Sequence, residues 1–214
     1  MYNLSYFKEP DQQKIFEFIQ QHPFAFLTGS TSDGSQVATQ VPVLIEERDG
    51  DWYLQGHIMR NTDHHKAFQA NPNVLCLFTG PHAYVSASWY TNPSIGSTWN
   101  YMSVHCAGEM RMMSDEELIA LMRKLTLHFE KGNEASPTFY DNLPDSFLNN
   151  MLPIISGFEI KVEKLDNVFK LSQNRDLESY DNIISKLEEE GGGSAEVAEE
   201  MRKRKDELFA EGKG

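Results

Sequence analysis

The sequence predicts a mainly β chain with flanking helices, an α+β domain whose strands form a small antiparallel barrel or sandwich. Short strand-like segments recur along most of the 214 residues, and turn signals such as Ser32-Asp33-Gly34 and Asp49-Gly50-Asp51 separate them. Helical segments are few. The predicted order of elements is three strands, a helix, three further strands and a helix, which differs from a βαβ repeat. A Rossmann sheet is therefore disfavoured, and neither a GxGxxG nor a P-loop motif occurs.

The first half of the chain predicts one helix followed by a meander of strands. Residues 10–22 carry an apolar helical face that includes Ile15 and Ile19, and Pro23 ends it. Strands are predicted over residues 24–31, 36–47 and 52–58, and a short helix over 62–70. Two further strands, residues 74–79 and 83–88, are expected on either side of a break at Gly80-Pro81.

The second half contains the clearest helix. Residues 99–113 alternate as a strand, and Ser114 with Glu117 then forms a capping box that opens a helix. Its predicted buried stripe consists of Leu118, Leu121, Met122, Leu125 and Phe129. A loop over 137–144, a short helix over 145–152 and a hairpin of strands 157–165 and 168–172 around Asp166-Asn167 complete the domain.

Composition and charge restrict the function classes. The net charge of −13 opposes direct binding to nucleic acid or to an anionic membrane, because phosphates would be repelled. No segment approaches the roughly 20 apolar residues of a membrane span, and the N-terminus lacks signal-peptide features. We therefore expect a cytoplasmic protein. Cys76 and Cys106 are isolated in the sequence, which favours unreactive core cysteines over a disulfide or a zinc site.

The C-terminal region differs in character from the rest. We expect a main domain over residues 1–174 and a charged helical tail over 175–214. Residues 176–214 contain 12 acidic and 6 basic residues. Glycines at 191–193 divide this tail into two helical stretches. A solvated or frayed tail is the simpler interpretation, and a partner-binding tail is the alternative.

A basic cluster lies where a strand ends and a helix begins, between Gly56 and Lys66. Within this acidic chain it holds three histidines, Arg60 and Lys66, with a single acidic residue. Backbone N–H groups and the positive end of a helix favour a phosphate there, which Arg60, Lys66 and the Thr62 hydroxyl could bind. A solvated helix start is the alternative. A metal site on the histidines is disfavoured, since adjacent histidines point to different helix faces.

Aromatic and hydroxyl side chains are interleaved in a second region, residues 80–101. Period-two alternation places Tyr84, Ser86 and Ser88 on one strand face, and Trp89 and Tyr90 follow. The next strand begins with Thr98, Trp99, Asn100 and Tyr101. Such side chains suit a flat heteroaromatic ligand, although each aromatic alone is more often a core residue. With a phosphate site they outline flavin mononucleotide (FMN) or pyridoxal phosphate, and no lysine is marked for a Schiff base. No catalytic group stands out.

These segments resemble the PaiB-like family of FMN-binding negative transcriptional regulators, within the split-barrel flavoproteins. The matching stretches are Met1-Tyr2, Pro23-Phe24-Ala25, ATQVP (38–42), Gly56-His57 with Arg60, GPHAYVSASWY (80–90), TWNY (98–101), Val104-His105, GFEI (157–160) and KLSQN (170–174). The likeness extends over roughly residues 1–185. It implies a six-stranded antiparallel split β-barrel of the FMN-binding type and a homodimer with FMN at the subunit interface.

The resemblance also implies the residues that bind FMN. Those expected near the phosphate and ribityl chain are Gly56, His57, Arg60, Thr62 and Lys66. Those expected near the ring are Ser86, Ser88, Trp89, Trp99 and Asn100, with Lys170 and Gln173 closing the site.

Three functions fit these expectations. The first is an FMN-dependent oxidoreductase or flavin reductase that uses NAD(P)H, since a bound flavin itself carries the redox chemistry. The second is an FMN-dependent regulator or sensor that acts through a partner, because no helix-turn-helix with a basic recognition helix is present. The third is haem binding or degradation, with His105 or His128 as the axial ligand.

Overall fold

A computed structural model describes residues 1–210 and has a mostly antiparallel sheet with flanking helices. The strands are β1 (Phe24–Ser30), β2 (Gln36–Pro42), β3 (Leu44–Arg48), β4 (Asp51–Met59), β5 (Asn73–Val85), β6 (Thr98–Met112) and β7 (Ile155–Lys170). The helices are α1 (Gln12–Gln21), α2 (Asp63–Ala70), α3 (Asp115–Phe129), α4 (Asp145–Met151), α5 (Leu177–Glu190) and α6 (Gly192–Phe209). The predicted mainly β class with flanking helices is confirmed.

Within the described residues the sheet has seven strands, in the order β2-β1-β5-β6-β7-β4-β3. The resemblance implied six. The predicted strand over 36–47 divides into β2 and β3 because Pro42 has no N–H to donate and the Val43 N–H bonds to the Pro23 carbonyl at 2.8 Å. Antiparallel pairing aligns Phe24 with Pro42 in β1–β2 and Tyr53 with Lys161 in β4–β7.

Two predicted strand breaks do not occur. β5 continues through Gly80-Pro81. Its ladder with β1 covers only Leu75 to Leu77, so Pro81 lies beyond it and removes no hydrogen bond from that ladder. β7 continues through Asp166-Asn167, so the predicted hairpin is wrong. Asp166 instead accepts from Lys8 Nζ at 2.6 Å, and the Asn167 amide exchanges two hydrogen bonds with the Glu9 backbone.

The chain divides into two compact units, which are described separately. Of the described residues, the first unit holds 1–18, 79–104 and 166–210, and the second holds 19–78 and 105–165. α1, β5, β6 and β7 contribute residues to both units. None of the helices within residues 1–210 has the length and apolar character needed to span a membrane.

α3 organises the core of the second unit. Both hydrogen bonds of the capping box at Ser114 and Glu117 form, which confirms the predicted helix start. Four residues of the predicted stripe, Leu118, Leu121, Met122 and Leu125, are buried and pack with Tyr140 and Ile155. Phe129 is 48% exposed, so its predicted burial is wrong. It is the last residue of α3, and the buried cluster does not extend to it.

The C-terminal helices belong to the core of the first unit. Their buried side chains are Tyr180, Ile183, Ile184, Leu187, Val197, Ala198 and Met201. α5 ends at Gly191, where φ is 73°, and α6 starts immediately after it. A solvated, frayed tail therefore does not describe these helices. The predicted division at residue 174 stays a prediction, and residues 211–214 of the tail lie outside the described part.

The two cysteines are free and fully buried, as expected for quiet core residues. Burial raises the pKa of Cys106 to about 12 and raises that of Cys76 well above its usual range. Neither thiol is therefore activated as a nucleophile or as a metal ligand at neutral pH.

Candidate functional site

The residues predicted to bind a phosphate all lie in the second unit, where β4 leads into α2. β4 ends at Met59, Asn61 adopts the left-handed conformation with φ of 66°, and Thr62 caps the start of α2. Arg60 and Thr62 lie on either side of this turn residue, and Lys66 follows one helical turn further on. We call Arg60, Thr62, His65 and Lys66 the Arg60 cluster.

The N–H groups at the start of α2 are largely occupied by the protein itself. The Thr62 hydroxyl accepts from the His65 N–H at 3.3 Å and donates to the Met59 carbonyl at 3.0 Å. The Asp63 carboxylate accepts from the His64 N–H at 2.8 Å. Any anion at this position therefore depends mainly on side-chain donors, and less on the helix start than the sequence suggested.

The Arg60 side chain is held in place and keeps free donors. Its Nε donates to the Ile155 carbonyl at 2.6 Å, and Nη2 lies 3.3 Å from the Asp115 carboxylate. Asp115 is 88% exposed, so this ion pair is weak. Arg60 and Asp115 also line a cleft of about 380 Å³ together with Leu118, Leu152 and Pro153.

His65 presents a buried donor with no acceptor. Burial first, and then the charges of Arg60, His64 and Lys66, lower the pKa of His65, which favours the neutral ring. Its Nδ1 accepts from the Asn61 N–H at 3.3 Å, so Nε2 carries the proton. This Nε2 is buried and has no partner within residues 1–210. A donor in this state lacks an acceptor that an anion could supply.

His57 and Gly56 differ in their environment. Burial lowers the pKa of His57, and its Nδ1 is buried and without a partner in the described structure. Gly56 packs under Phe158, whose Cζ would lie 2.7 Å from an added Cβ, while the Pro42 carbonyl would lie 3.0 Å away. The glycine is therefore required for close packing of β4 against β7.

The residues predicted to contact a ring lie in the first unit. Trp99 is 53% exposed, and its ring packs against His82 and, edge-on, against Tyr84 at a centroid distance of 6.0 Å. The predicted strand face of Tyr84, Ser86 and Ser88 is wrong, because β5 ends at Val85. A 3-10 helix, Ala87–Trp89, follows, and the Ser86 hydroxyl caps it by accepting from the Ser88 N–H.

Asn100 and Gln173 use their side-chain amides inside the protein. Asn100 is fully buried, accepts from the Ser172 hydroxyl at 3.0 Å and points its amide nitrogen at the Met201 sulfur. Gln173 accepts from the Leu171 N–H at 2.7 Å and donates to the Phe169 carbonyl. Lys170 donates to the Thr98 hydroxyl and to the Trp99 carbonyl, the latter at 2.8 Å.

Sequence reasoning missed two features of the second unit. The Glu159 carboxylate is buried and accepts hydrogen bonds from Gln55, Arg48 and Arg111. Burial alone would raise the pKa of Glu159, but these bonds hold it below its usual value. A glutamate between Phe158 and Ile160 in an apolar strand was the signal that could have identified it.

The second missed feature is a cleft of about 550 Å³. It is lined by Gln20, Pro23, Val43, Leu44, Ile45, Glu46, Lys124, Leu127, His128, Lys131 and Gly132. Sequence analysis considered His128 as a haem ligand, but it could not predict that His128 lines a cleft, because the lining residues come from three separate segments.

The sequence is similar to that of a known protein family and to several individual proteins. A family model described as "Putative FMN-binding domain" matches residues 1–164. The Bacillus subtilis protein named "Protease synthase and sporulation protein PAI 2" is 34% identical over 205 residues, which are 96% of this chain and 98% of that protein. An uncharacterised Emericella nidulans protein, AN0679, is 27% identical over 85% of this chain and 80% of its own length.

Solved structures show the same fold. A FAD and haem binding protein from Mycobacterium smegmatis superposes with a TM-score of 0.58 at 18% identity, covering 76% of this chain and 72% of its own. The flavocytochrome Anf3 from Azotobacter vinelandii gives 0.57 at 16% identity, covering 79% and 72%. The fold is therefore that of the split-barrel flavin binders.

Proposed function

The chain belongs to the FMN-binding domain family, PaiB-like, and from that premise we propose that it is an FMN-dependent oxidoreductase or flavin reductase that draws electrons from NAD(P)H. FMN is the cofactor typical of this family. When bound, it supplies a ring that accepts and passes on electrons, which no side chain can do.

The main support for binding of the FMN phosphate at the Arg60 cluster is the protonated Nε2 of His65. It is buried and unpartnered in the described residues, and the positive charges of Arg60 and Lys66 act on the same ring. Buried donors are almost always paired in folded proteins. A phosphate group provides both the missing acceptor and the missing negative charge, so the Arg60 cluster fits the phosphate end of FMN.

The chain's own residues would divide the work of binding. Arg60 and Lys66 would bind phosphate oxygens, and His65 would donate a hydrogen bond to them. In the proposed homodimer, where either subunit can supply them, Trp89 and Trp99 would cover the ring, with Ser86 and Ser88 meeting its polar edge. Asn100 and Gln173 are proposed as positioning residues, since their amides bond within the protein. Gly56 would let β4 pack closely, and the neighbouring His57 has an Nδ1 without a partner within residues 1–210.

We propose that the protein is a cytoplasmic homodimer with FMN at the subunit interface. Large aromatic side chains are exposed in each unit, Tyr84 and Trp99 in the first and Phe24 and Phe26 in the second. Exposed apolar residues at this density are typical of surfaces that a partner covers. Light scattering after gel filtration should give a mass twice that of one chain, and a monomer that retains FMN would contradict the interface site.

An anaerobic absorbance spectrum tests the redox function. The purified protein, saturated with FMN and freed of excess, is mixed with NADH or NADPH under nitrogen. Bleaching of the flavin bands by either nucleotide supports the oxidoreductase, and readmission of air should restore them. Bands that dithionite bleaches but neither nucleotide does would reject NAD(P)H as the donor.

The regulatory alternative has support from the B. subtilis relative, which is named a protease synthase and sporulation protein. Direct DNA binding is not favoured, because each cation of the basic run in α6 has a carboxylate partner. The pairs are Arg202–Glu188, Lys203–Glu199, Lys203–Glu200, Arg204–Glu200 and Lys205–Asp181. A regulator of this kind would act through a protein partner. Its mark would be FMN-dependent capture of one defined protein, with no response of the flavin to NAD(P)H.

Haem binding is favoured by one feature, the 550 Å³ cleft that His128 lines. Its wall includes the apolar residues Val43, Leu44 and Ile45, and Lys131 supplies a cation for a haem carboxylate. Titration with hemin would give a Soret band that His128→Ala abolishes if this site is real. An identical spectrum for the variant would reject His128 as the ligand.

A further inference from the structure

Among the described residues of the first unit, two cations lack the carboxylate partners that most others have. Within residues 1–210, no carboxylate lies at ion-pair distance from Lys170 or Arg175, although acidic residues greatly outnumber basic ones in the chain. The charge of Arg175 also reaches Lys170, since burial first and Arg175 second lower the pKa of that lysine. Like charges that are partly buried together are unfavourable unless an anion joins them.

A locked turn holds both cations in place. Ser172, between them, has a φ of 62°, which is left-handed for a non-glycine residue. Its hydroxyl bonds to the buried Asn100, and its carbonyl accepts from the Arg175 N–H at 3.0 Å. The Gln173 side-chain amide accepts from the Leu171 N–H and donates to the Phe169 carbonyl, both earlier in the chain. Strained backbone that its surroundings fix in this way is typical of binding sites.

Tyr90 completes the arrangement. Its side chain is only 5% exposed, and its hydroxyl is buried without a hydrogen-bond partner in the described structure. The Arg175 guanidinium lies over its ring at 4.5 Å, and the Arg175 Nε is also buried and unpartnered. Two stacked side chains of the described structure thus carry an unpaired hydroxyl and an unpaired guanidinium N–H. The Arg175 charge also acts on Lys170, which has used two of its three donors.

The nearest acidic residue in the chain does not neutralise Arg175. The Asp176 carboxylate caps α5, accepting from the Ser179 N–H at 2.9 Å and the Ser179 hydroxyl at 2.7 Å. It also accepts from the Thr91 hydroxyl at 3.1 Å. Its oxygens therefore bond at the start of α5, and no carboxylate within residues 1–210 compensates the two cations.

We propose that Tyr90, Lys170 and Arg175 form a second anion-binding site, which takes a phosphate group of a small molecule other than FMN. This assigns Lys170 to the second site and not to the FMN site, where the resemblance had placed it. Two positive charges match the charge of a phosphate, and the phenol, ammonium and guanidinium approach it from different side chains. Tyr2 lies 5.7 Å from the Lys170 ammonium, so an aromatic surface adjoins the charge. A nucleotide combines both features. That the nucleotide is NAD(P)H rests on the proposed function.

Pyrophosphate titration of the FMN-saturated protein tests the site, because FMN then already fills its own phosphate cluster. Arg175→Gln should weaken pyrophosphate binding by about tenfold or more, as expected for loss of charge-assisted bonds, and should leave FMN affinity within about twofold. Lys164→Gln is the matched control, an exposed lysine of the other unit that also lacks a carboxylate partner in residues 1–210, and should change neither constant.

Tyr90→Phe removes only the unpartnered hydroxyl and keeps the ring under Arg175. It should weaken pyrophosphate binding by about tenfold without lowering the melting temperature of the ligand-free protein. A lowered melting temperature with unchanged pyrophosphate affinity would assign the hydroxyl a structural role and overturn the proposal. So would a wild-type protein that binds no pyrophosphate, or an Arg175→Gln variant that loses FMN affinity instead.

Competition identifies the source of the phosphate. If NADPH displaces pyrophosphate, the site serves the dinucleotide, and if it does not, the site serves a free phosphate compound. Either result leaves the site established. Because pyrophosphate binding requires no flavin reduction, a protein that fails the anaerobic NAD(P)H test can still pass this one, so the two proposals fail separately.

Discussion

Replacement of Arg60 with alanine should weaken FMN binding by about 1.5–3 kcal/mol, the range for hydrogen bonds to a charged group. Arginine has five N–H donors, and the Ile155 carbonyl and the Asp115 carboxylate take two of them, so three remain for a phosphate. By the usual conversion, the dissociation constant of the variant should rise about 10- to 150-fold. Fluorescence quenching of FMN during titration of the apoprotein measures it.

Asp115 allows the sign of the effect to be checked. Its exposed carboxylate competes with the phosphate for Arg60, and pairs of this kind contribute about 0.2–1 kcal/mol. Asp115→Asn should therefore tighten FMN binding, by up to about fivefold. The same change should lower the stability of the apoprotein by about 0.3–1 kcal/mol, because Asp115 lies in the first turn of α3 and interacts favourably with the helix dipole.

Arg123→Ala is the matched control, since Arg123, like Arg60, pairs with a carboxylate, that of Asp141 at 2.7 Å. It should leave the FMN dissociation constant within about twofold. If Arg60→Ala and Arg123→Ala behave alike, Arg60 does not bind the phosphate, and the unpartnered Nε2 of His65 then needs another explanation.

Three further predictions concern stability and pH. Gly56→Ala should destabilise the protein by about 1–3 kcal/mol in urea unfolding, because the new methyl overlaps Phe158 and the Pro42 carbonyl; Gly96→Ala, with open space around it, should not. In the apoprotein, unfolding free energy should fall as pH drops below 6.5, since the unfolded chain binds a proton that His65 resists when folded, and His65→Gln should reduce this slope. Truncation after Asn174 should abolish cooperative thermal unfolding rather than leave FMN binding intact, as it removes the core side chains of α5 and α6.

Local rules predicted those elements whose bonds lie within a few residues. The capping box at Ser114 needs only Glu117, three positions away, and the structure contains both of its bonds. Asp166-Asn167 is a typical turn signal by local sequence. In the structure, however, its side chains bond to Lys8 and Glu9, more than 150 residues earlier. No window of the sequence contains that pairing, so the hairpin prediction could not have been corrected from sequence alone.

The candidate site shows the same limit. Residue types at Arg60 and Lys66 suggested a phosphate, and the structure adds the protonation state of His65, which depends on the Asn61 N–H. Asn100 looked like a ligand contact because it follows Trp99 in a polar stretch. Its burial against α6 and its bond to Ser172 are tertiary facts, and they change its expected role from contact to positioning.

Charge pairing, which a sequence does not display, decides which cations are available to ligands. The run from Arg202 to Lys205 is the densest basic segment of the chain, and yet carboxylates neutralise each of its members. Lys170 and Arg175 are less conspicuous in the sequence and carry no such partners among the described residues. A polyanion such as DNA needs a continuous basic surface, whereas two isolated unpaired cations suit one compact anion. The distribution of unpaired charge therefore favours small phosphate-bearing ligands over nucleic acid as the partners of this protein.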